Sequence, residues 1–243
     1  MTQLSSDDRL PRYQRLRDEL AQQIATHQLR AGEAIPTEAV LAAQYGLSVG
    51  TVRKAIDMLV GERILERQQG RGTFIRRPEF QSSLFRFFRF QTTSGERRLP
   101  DSRVLDVCQQ PATAEVAQAL GLSLGDDVIR LSRLRLLDEQ PVLAEEIWLP
   151  LGPFQALLSV DLNAQGALLY PIYESLCGQV VASADETLTA EAADARHAGL
   201  LGIPEHTPVV VIERLARDYS GQALEWRRSR GHAQHFRYSV EIR

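Results

Sequence analysis

Two helical patterns split by a glycine turn, followed by a Gly-Arg-Gly turn, constrain this chain more than any other stretch; all lie between Pro36 and Thr73. Pro36 ends a loop, the Thr37 hydroxyl can cap a helix, and Glu38 sits where the helix dipole favours a carboxylate. The pattern runs through Leu41 and Tyr45 and stops at Gly46, the residue best able to close a helix in the left-handed conformation. Ser48 caps a second helix. In it Val52, Ala55, Ile56, Leu59 and Val60 recur at helical spacing and form a core face, while Gly50, Arg53, Lys54 and Asp57 lie opposite with Thr51 at the flank. Two short strands then bracket Gln68-Gln69-Gly70-Arg71-Gly72, an arginine held between glycines that let backbone come close to a phosphate or a minor groove.

Two short helices joined by a tight turn, the second exposing Thr, Arg and Lys, fit a recognition helix entering the major groove, and the hairpin reads as a wing. A helix-turn-helix alone would equally describe a three-helix packing unit with a solvated face; the wing moves the reading to duplex DNA. The expected DNA-contacting set is Thr37, Ser48, Gly50, Thr51, Arg53, Lys54, Arg71 and Gly72. Charge agrees. Residues 1–78 hold 12 Arg plus Lys against 9 Asp plus Glu, whereas the remainder holds 16 against 22, a basic front ahead of an acidic rear.

The chain of 243 residues is long enough for two cores, and 44% hydrophobic with 24% charged residues describes a soluble globular protein. No apolar run is long enough to span a membrane and the polar start is no signal peptide, so a cytoplasmic location is expected. Cys108 and Cys177 are expected as buried free thiols, and no metal site is expected; on a strand His232 and His235 would fall on opposite faces.

Before the helix-turn-helix, Pro11 opens a helix whose stripe of Tyr13, Leu16, Leu20 and Ile24 packs inward. A DNA-binding domain over 1–77, a linker over 78–84 and a second domain over 85–243 are expected. In the rear domain residues 83–90 read as an aromatic strand and 103–109 as a further strand. Helices are expected over 111–120, 167–178 and 190–200, and strands over 128–137, 142–149, 180–188, 208–217, 223–230 and 235–242. The sum is an antiparallel sheet with a few helices, α+β in class. On the strand 128–137, Ile129, Leu131, Arg133, Arg135 and Leu137 share a face. Arginines on an otherwise apolar face need an anionic partner. Glu145 or Glu146 supplies one from the next strand, depending on a register that the turn Asp138-Glu139-Gln140-Pro141 leaves open. An internal Arg–Glu network and a ligand site are both open at this point.

The stretch "IPTEAVLAAQYGLSVGTVRKAIDMLVGERILERQQGRGTFI" resembles the winged helix-turn-helix of the GntR family of bacterial transcription regulators. Ala39 and Val49 depart from it, standing where relatives usually carry Arg or Lys and Arg. "RLRLLDEQPVLAEEIWLP", "PIYESLCG" and Glu225 followed by "HFRYSVEI" resemble the UTRA effector-binding domain of the HutC branch, whose fold is like that of chorismate lyase. The resemblance implies that the domain over 85–243 binds an effector and dimerises, with Arg133, Arg135, Glu145, Tyr173 and Glu225 in the effector site. Pro171 and the cluster Arg227, Arg228 and Arg230 depart from members that bind phosphorylated amino sugars. Arginine chemistry still points to a small anionic metabolite.

An enzyme is the rival class. The sequence has no Gly-rich phosphate loop, GxSxG or HExxH. Its one lysine, Lys54, falls on the recognition helix, which removes a Schiff-base site, and neither a catalytic residue nor a cofactor is expected. A second rival is a rear domain that only dimerises. The expected protein is a homodimeric repressor of a pseudo-palindromic operator, with half-sites about 10 bp apart and ligand relieving repression.

Overall fold

The computed structural model describes residues 10–26, 28–77 and 100–236, and it falls into two compact units. The aromatic stretch 83–90, the linker and the end of the expected last strand lie outside the described residues.

The front unit packs α1 (Arg12–Ala25), α2 (Glu38–Tyr45) and α3 (Val49–Gly61) ahead of a hairpin of β1 (Leu65–Gln68) and β2 (Gly72–Ile75). Leu16, Leu20 and Ile24 of α1 meet Val52, Ala55, Ile56 and Leu59 of α3 in one core. Local chemistry sets the ends of the helices. Thr37 Oγ1 accepts from Val40 N, Ser48 Oγ accepts from Thr51 N, and Gly46 closes α2 at φ +63°. The loop before α2 also docks on the hairpin. Gly32 N donates to Ile75 O, Ile35 N to Thr73 O and Ile75 N to Glu33 O, so the wing is anchored along its inner edge.

The rear unit is a six-stranded antiparallel sheet in the order β3-β4-β5-β8-β7-β6. Its strands are β3 (Asp101–Pro111), β4 (Asp127–Leu137), β5 (Gln140–Pro150), β6 (Ser183–Ala192), β7 (Pro208–Arg217) and β8 (Ala223–His232). Helices cover both faces. On one, α4 (Ala114–Leu120) packs with Trp148 and Trp226, and α7 (Ala195–Leu201) packs with Leu134, Leu136 and Ala144. On the other, α5 (Leu151–Phe154), two 3-10 turns and α6 (Leu169–Cys177) cover Ile129, Leu131, Ile147 and Leu149.

Several boundaries move from those expected. Pro111 ends a strand, and the helix after it starts only once Thr113 caps it. Strand β6 runs on to Ala192, and α7 begins at the cap Asp194, so Gly199 is inside a helix that Gly202 terminates at φ +65°. Strand β8 reaches His232 and a 3-10 turn follows, which stacks the rings of His232 and His235 edge to face at 5.3 Å instead of on opposite faces. Cys108 and Cys177 are unpaired and only half-buried. Among the described residues no helix is long and apolar enough to cross a membrane.

Candidate functional site

Of the expected DNA-contacting residues, Gly50, Thr51, Arg53 and Lys54 lie on α3. Gly50, Arg53 and Lys54 are exposed, and Thr51 at the flank bonds its hydroxyl to Ser48 Oγ at 2.8 Å. Thr37 and Ser48 are engaged as caps at the starts of α2 and α3. Lys54 lies over the Tyr13 ring of α1 at 3.8 Å, and Arg53 is bonded to Glu38 of α2. At the wing tip Gly70 and Gly72 take φ +72° and +119°, a conformation open to glycine, and present Arg71 between them with its guanidinium 5.5 Å above Phe74. The helix ends and the wing are each built as the residues demanded, and their basic groups are surface-exposed.

The rear-domain site is built on the α6 face of the sheet. The turn between β4 and β5 has two central residues, Asp138 and Glu139, both with positive φ, the geometry that suits a tight hairpin. Continued along the strands, that turn would set Ala144 opposite Arg133. Instead the register slips by one residue between Arg135 and Leu136, because Val142 is an extra residue in β5, and Glu145 becomes the partner of Arg133. The bulge thus selects Glu145 over Glu146 for the arginine face. Glu146 is sent to the opposite face, beside Arg196 of α7 at 2.6 Å.

All five expected effector residues are buried on this one face. Arg133 donates from Nε and Nη2 to Glu145 Oε2 at 2.7 and 2.6 Å. Glu145 Oε1 accepts from Ser229 Oγ at 3.1 Å and lies 3.5 Å from Arg227 Nη1. Arg227 Nη2 donates to Glu225 Oε2 at 2.7 Å, and the carboxylate also accepts from Tyr173 at 2.7 Å and Tyr170 at 3.2 Å. Beyond Tyr170, Arg214 is paired with Glu186. Arg227, Arg214, Tyr170, Ser229 and Glu186 were missed as site residues. The signal was present: residues 225, 227 and 229 alternate onto one face of β8, as 214 and 186 do on β7 and β6.

Arg135 is the exception in this network. It is 1% exposed, and among the described residues its one hydrogen bond runs from Nη1 to the Ala167 carbonyl at 2.5 Å, while Nε and Nη2 are buried without an acceptor. That carbonyl also lies 3.4 Å from Arg133 Nη1; it is accessible because α6 starts at Leu169 and leaves Ala167 in the preceding loop. Among the described residues Arg133, Arg214 and Arg227 each pair with a carboxylate (Glu145, Glu186 and Glu225), whereas Arg135 pairs with none.

The titration behaviour follows. Burial, reinforced by Arg133 and Arg227, pulls Arg135 down to about 10 despite the opposing pull of Glu145 and Asp101. Burial would push Glu145 up, but Arg133, Arg227 and Arg135 outweigh it and hold the carboxyl at about 2. Burial likewise opposes the charge on Arg227, yet Glu225 and Glu145 hold it well above the ordinary arginine value. Tyr173 is raised well above its usual range by burial and by Glu225, so its phenol stays a donor. Such a site can neutralise an anion at Arg135 and offer carboxylate acceptors to hydroxyl or amine groups nearby. Among the described residues no cluster of three or more His, Cys, Asp or Glu is arranged for a metal.

Comparisons with known proteins agree with this architecture. Residues 12–75 match the family described as bacterial regulatory proteins, gntR family, and residues 95–237 match the UTRA domain. The HTH-type transcriptional repressor NagR of Bacillus subtilis is 29% identical over 221 residues, covering 90% of each chain. The mannosyl-D-glycerate transport/metabolism system repressor MngR of Escherichia coli is 28% identical over 234 residues, covering 95% of each. Among solved structures, the ligand-binding domain of a GntR-family regulator from Bordetella bronchiseptica superposes with a TM-score of 0.54 at 30% identity, over 61% of this chain and 93% of that one. The UTRA match alone spans more than half of the chain, and the protein belongs to the GntR family of bacterial transcription regulators, as a DNA-binding regulator with a rear effector-binding UTRA domain and not as an enzyme.

Proposed function

We propose that this protein is a homodimeric repressor that releases its operator when a small anionic metabolite binds between β4, β8 and α6. The observation that carries the reading is Arg135, a buried guanidinium whose Nε and Nη2 have no acceptor among the described residues. A buried charge without a partner is costly, and a bidentate carboxylate or phosphate matches both the charge and the free N–H groups. Glu145, Glu225 and Tyr173 would then read the neutral part of the ligand. The relative named for mannosyl-D-glycerate concerns a sugar joined to a carboxylate, which supports a sugar acid or sugar phosphate as the class to test first.

On DNA, α3 would enter the major groove through Gly50, Thr51 and Arg53, with Thr37, Ser48 and Lys54 near phosphates and Arg71 with Gly72 at the wing tip. One half-site per protomer implies a pseudo-palindrome. Residues 78–84 would join a DNA-binding domain ending near 77 to the effector domain starting near 85. Ligand would act by favouring one of two arrangements of the DNA-binding domains, which requires different ligand affinity in the two.

The test is a thermal-shift screen of the full chain against sugar phosphates, sugar acids, amino acids and phosphonates at millimolar concentration. A ligand at 100 times its dissociation constant adds about 2.7 kcal/mol, a shift of several degrees. A hit that weakens operator binding supports the reading. A rear domain that binds none of these, with operator affinity unmoved by any of them, counts against an anion-responsive regulator.

A further inference from the structure

The recognition helix carries a second arrangement that bears on how DNA is read. Arg53 Nε donates to Glu38 Oε1 and Oε2 at 3.3 and 3.0 Å, and Nη2 donates to Oε2 at 2.8 Å. A guanidinium is a flat fork with two usable edges. Glu38 takes the side edge, Nε with Nη2, and the end edge of Nη1 with the second Nη2 proton has no acceptor among the described residues. That end edge is the one whose two parallel N–H groups match O6 and N7 of guanine in the major groove.

Glu38 is itself fixed. It is the first residue of α2, where the helix dipole favours a carboxylate, and Arg67 of β1 lies 3.8 Å from its Oε1 while bonding Asp57 of α3 at 2.6 Å. The carboxylate is about a quarter exposed and the guanidinium 60% exposed, so the pair lies on the surface. As a stability element an exposed pair of this kind contributes little. An acidic group beside a DNA-reading helix also repels phosphate, which weakens binding to every sequence alike. Both facts leave orientation as the use of the contact.

We propose that Glu38 is a positioning residue for base readout: it buttresses Arg53 along one edge so that the other edge meets a single guanine in each operator half-site. The flexible arginine is then ordered before DNA arrives, and bases other than guanine meet a fork that cannot swing aside to accommodate them. This inference rests on the assignment of α3 as the recognition helix.

The experiment starts from duplexes selected out of a randomised pool by the full-length wild-type protein. Binding of the wild type and of Glu38→Gln, Glu38→Ala and Arg53→Ala is then measured by fluorescence anisotropy, on the selected duplex, on versions with each guanine replaced by 7-deazaguanine or another base, and on random duplex. Glu38→Gln keeps the shape of the side chain and removes the charge; equal thermal midpoints establish an intact fold. The wild type should lose roughly tenfold on replacing one guanine per half-site, the scale of a bidentate arginine contact. Arg53→Ala should lose that discrimination entirely. Glu38→Gln should reduce it to about two- to threefold while holding or increasing affinity for random duplex, because a phosphate-repelling charge has gone. Specificity and general affinity moving in opposite directions is a result that mere structural damage would not give. Full discrimination in both Glu38 variants alongside its loss in Arg53→Ala overturns the buttress and leaves the helix assignment standing. Tighter operator binding in Glu38→Gln with undiminished guanine preference also overturns it, since Glu38 would then sequester Arg53. No effect of Arg53→Ala at any base removes the helix assignment on which the inference depends.

Discussion

Arg133 and Arg135 sit two residues apart on the same face of β4, both buried, yet replacing each by methionine should change stability in opposite directions. Arg133 is bonded to Glu145 through two nitrogens, so Arg133→Met leaves a buried carboxylate short of its main partner. Breaking such a pair costs about 3–5 kcal/mol. Among the described residues Arg135 has no carboxylate of its own, and its pKa falls from the ordinary arginine value to about 10. At about 1.4 kcal/mol per pH unit, keeping the charge there costs roughly 3 kcal/mol. The sign is that of a base with a depressed folded pKa: at neutral pH, below both the folded and unfolded values, the full penalty applies. Arg135→Met removes it and gives up one hydrogen bond, worth about 1 kcal/mol, to a carbonyl that Arg133 also approaches. The ligand-free variant should therefore gain about 1–2 kcal/mol, a rise of several degrees in thermal midpoint. Ligand affinity should meanwhile fall a hundredfold or more, because a charged, buried contact of about 3 kcal/mol is gone. Urea denaturation of the full chain, with isothermal titration of the best screening hit, measures both. Destabilisation of the ligand-free protein by Arg135→Met, on the scale expected for Arg133→Met, would refute the reasoning, since it would mean that Arg135 is satisfied internally.

Other expectations are simpler. Ser48→Ala removes the cap at Thr51 N and should cost the front unit about 1 kcal/mol in thermal or urea unfolding. Gly46→Ala puts a side chain at φ +63° and should cost a similar amount by the same assay. His197 is raised above its ordinary value chiefly by Glu146, a charge contact at 3.7 Å, with Asp194 bonded to Nδ1. A raised folded pKa gives stability that is whole below the unfolded value near 6.5 and is lost as pH rises through the folded one. Stability of the wild type should thus decline above pH 6.5 relative to His197→Gln, and parallel curves would count against a charged His197. Glu145, held at about 2, contributes stability that is present above the ordinary carboxylate value and lost as pH falls from about 4.5 towards 2; an acid titration followed by circular dichroism should be flatter over that window in Glu145→Gln.

The two faces of the protein were legible to different degrees, for physical reasons. In the front unit both ends of α2 and the start of α3 are written locally, by Thr37, Gly46 and Ser48, and the apolar spacing of α3 needs no tertiary knowledge. The docking of residues 32–35 on the wing was not legible, because a three-residue backbone pairing leaves no side-chain pattern. In the rear unit the alternation of β4 announced that Arg133 and Arg135 share a face. Which carboxylate they meet depended on the bulge at Val142, a register shift that composition does not encode. Of the two readings left open by the sequence, the internal network is present in Arg133, Arg227 and Glu145, while Arg135 has no carboxylate partner among the described residues. Arg227 and Arg214 were passed over because the arginines of β7 and β8 alternate between faces, and the sequence alone does not say which face α6 covers. The shifts at Pro111 and Ala192 have a common origin. Strand pairing across the sheet extends each strand until a capping residue, Thr113 or Asp194, starts the next helix.

Ligand control of DNA binding is tested most directly by operator affinity, measured by anisotropy for the wild type and Arg135→Met, each with and without the screening hit. Equal affinity is expected without ligand, with a ligand-induced weakening of roughly 5- to 150-fold in the wild type, the usual range of coupling between sites, and none in Arg135→Met. Equal weakening in both proteins would contradict an effector site at Arg135, because the ligand would then act without that buried guanidinium.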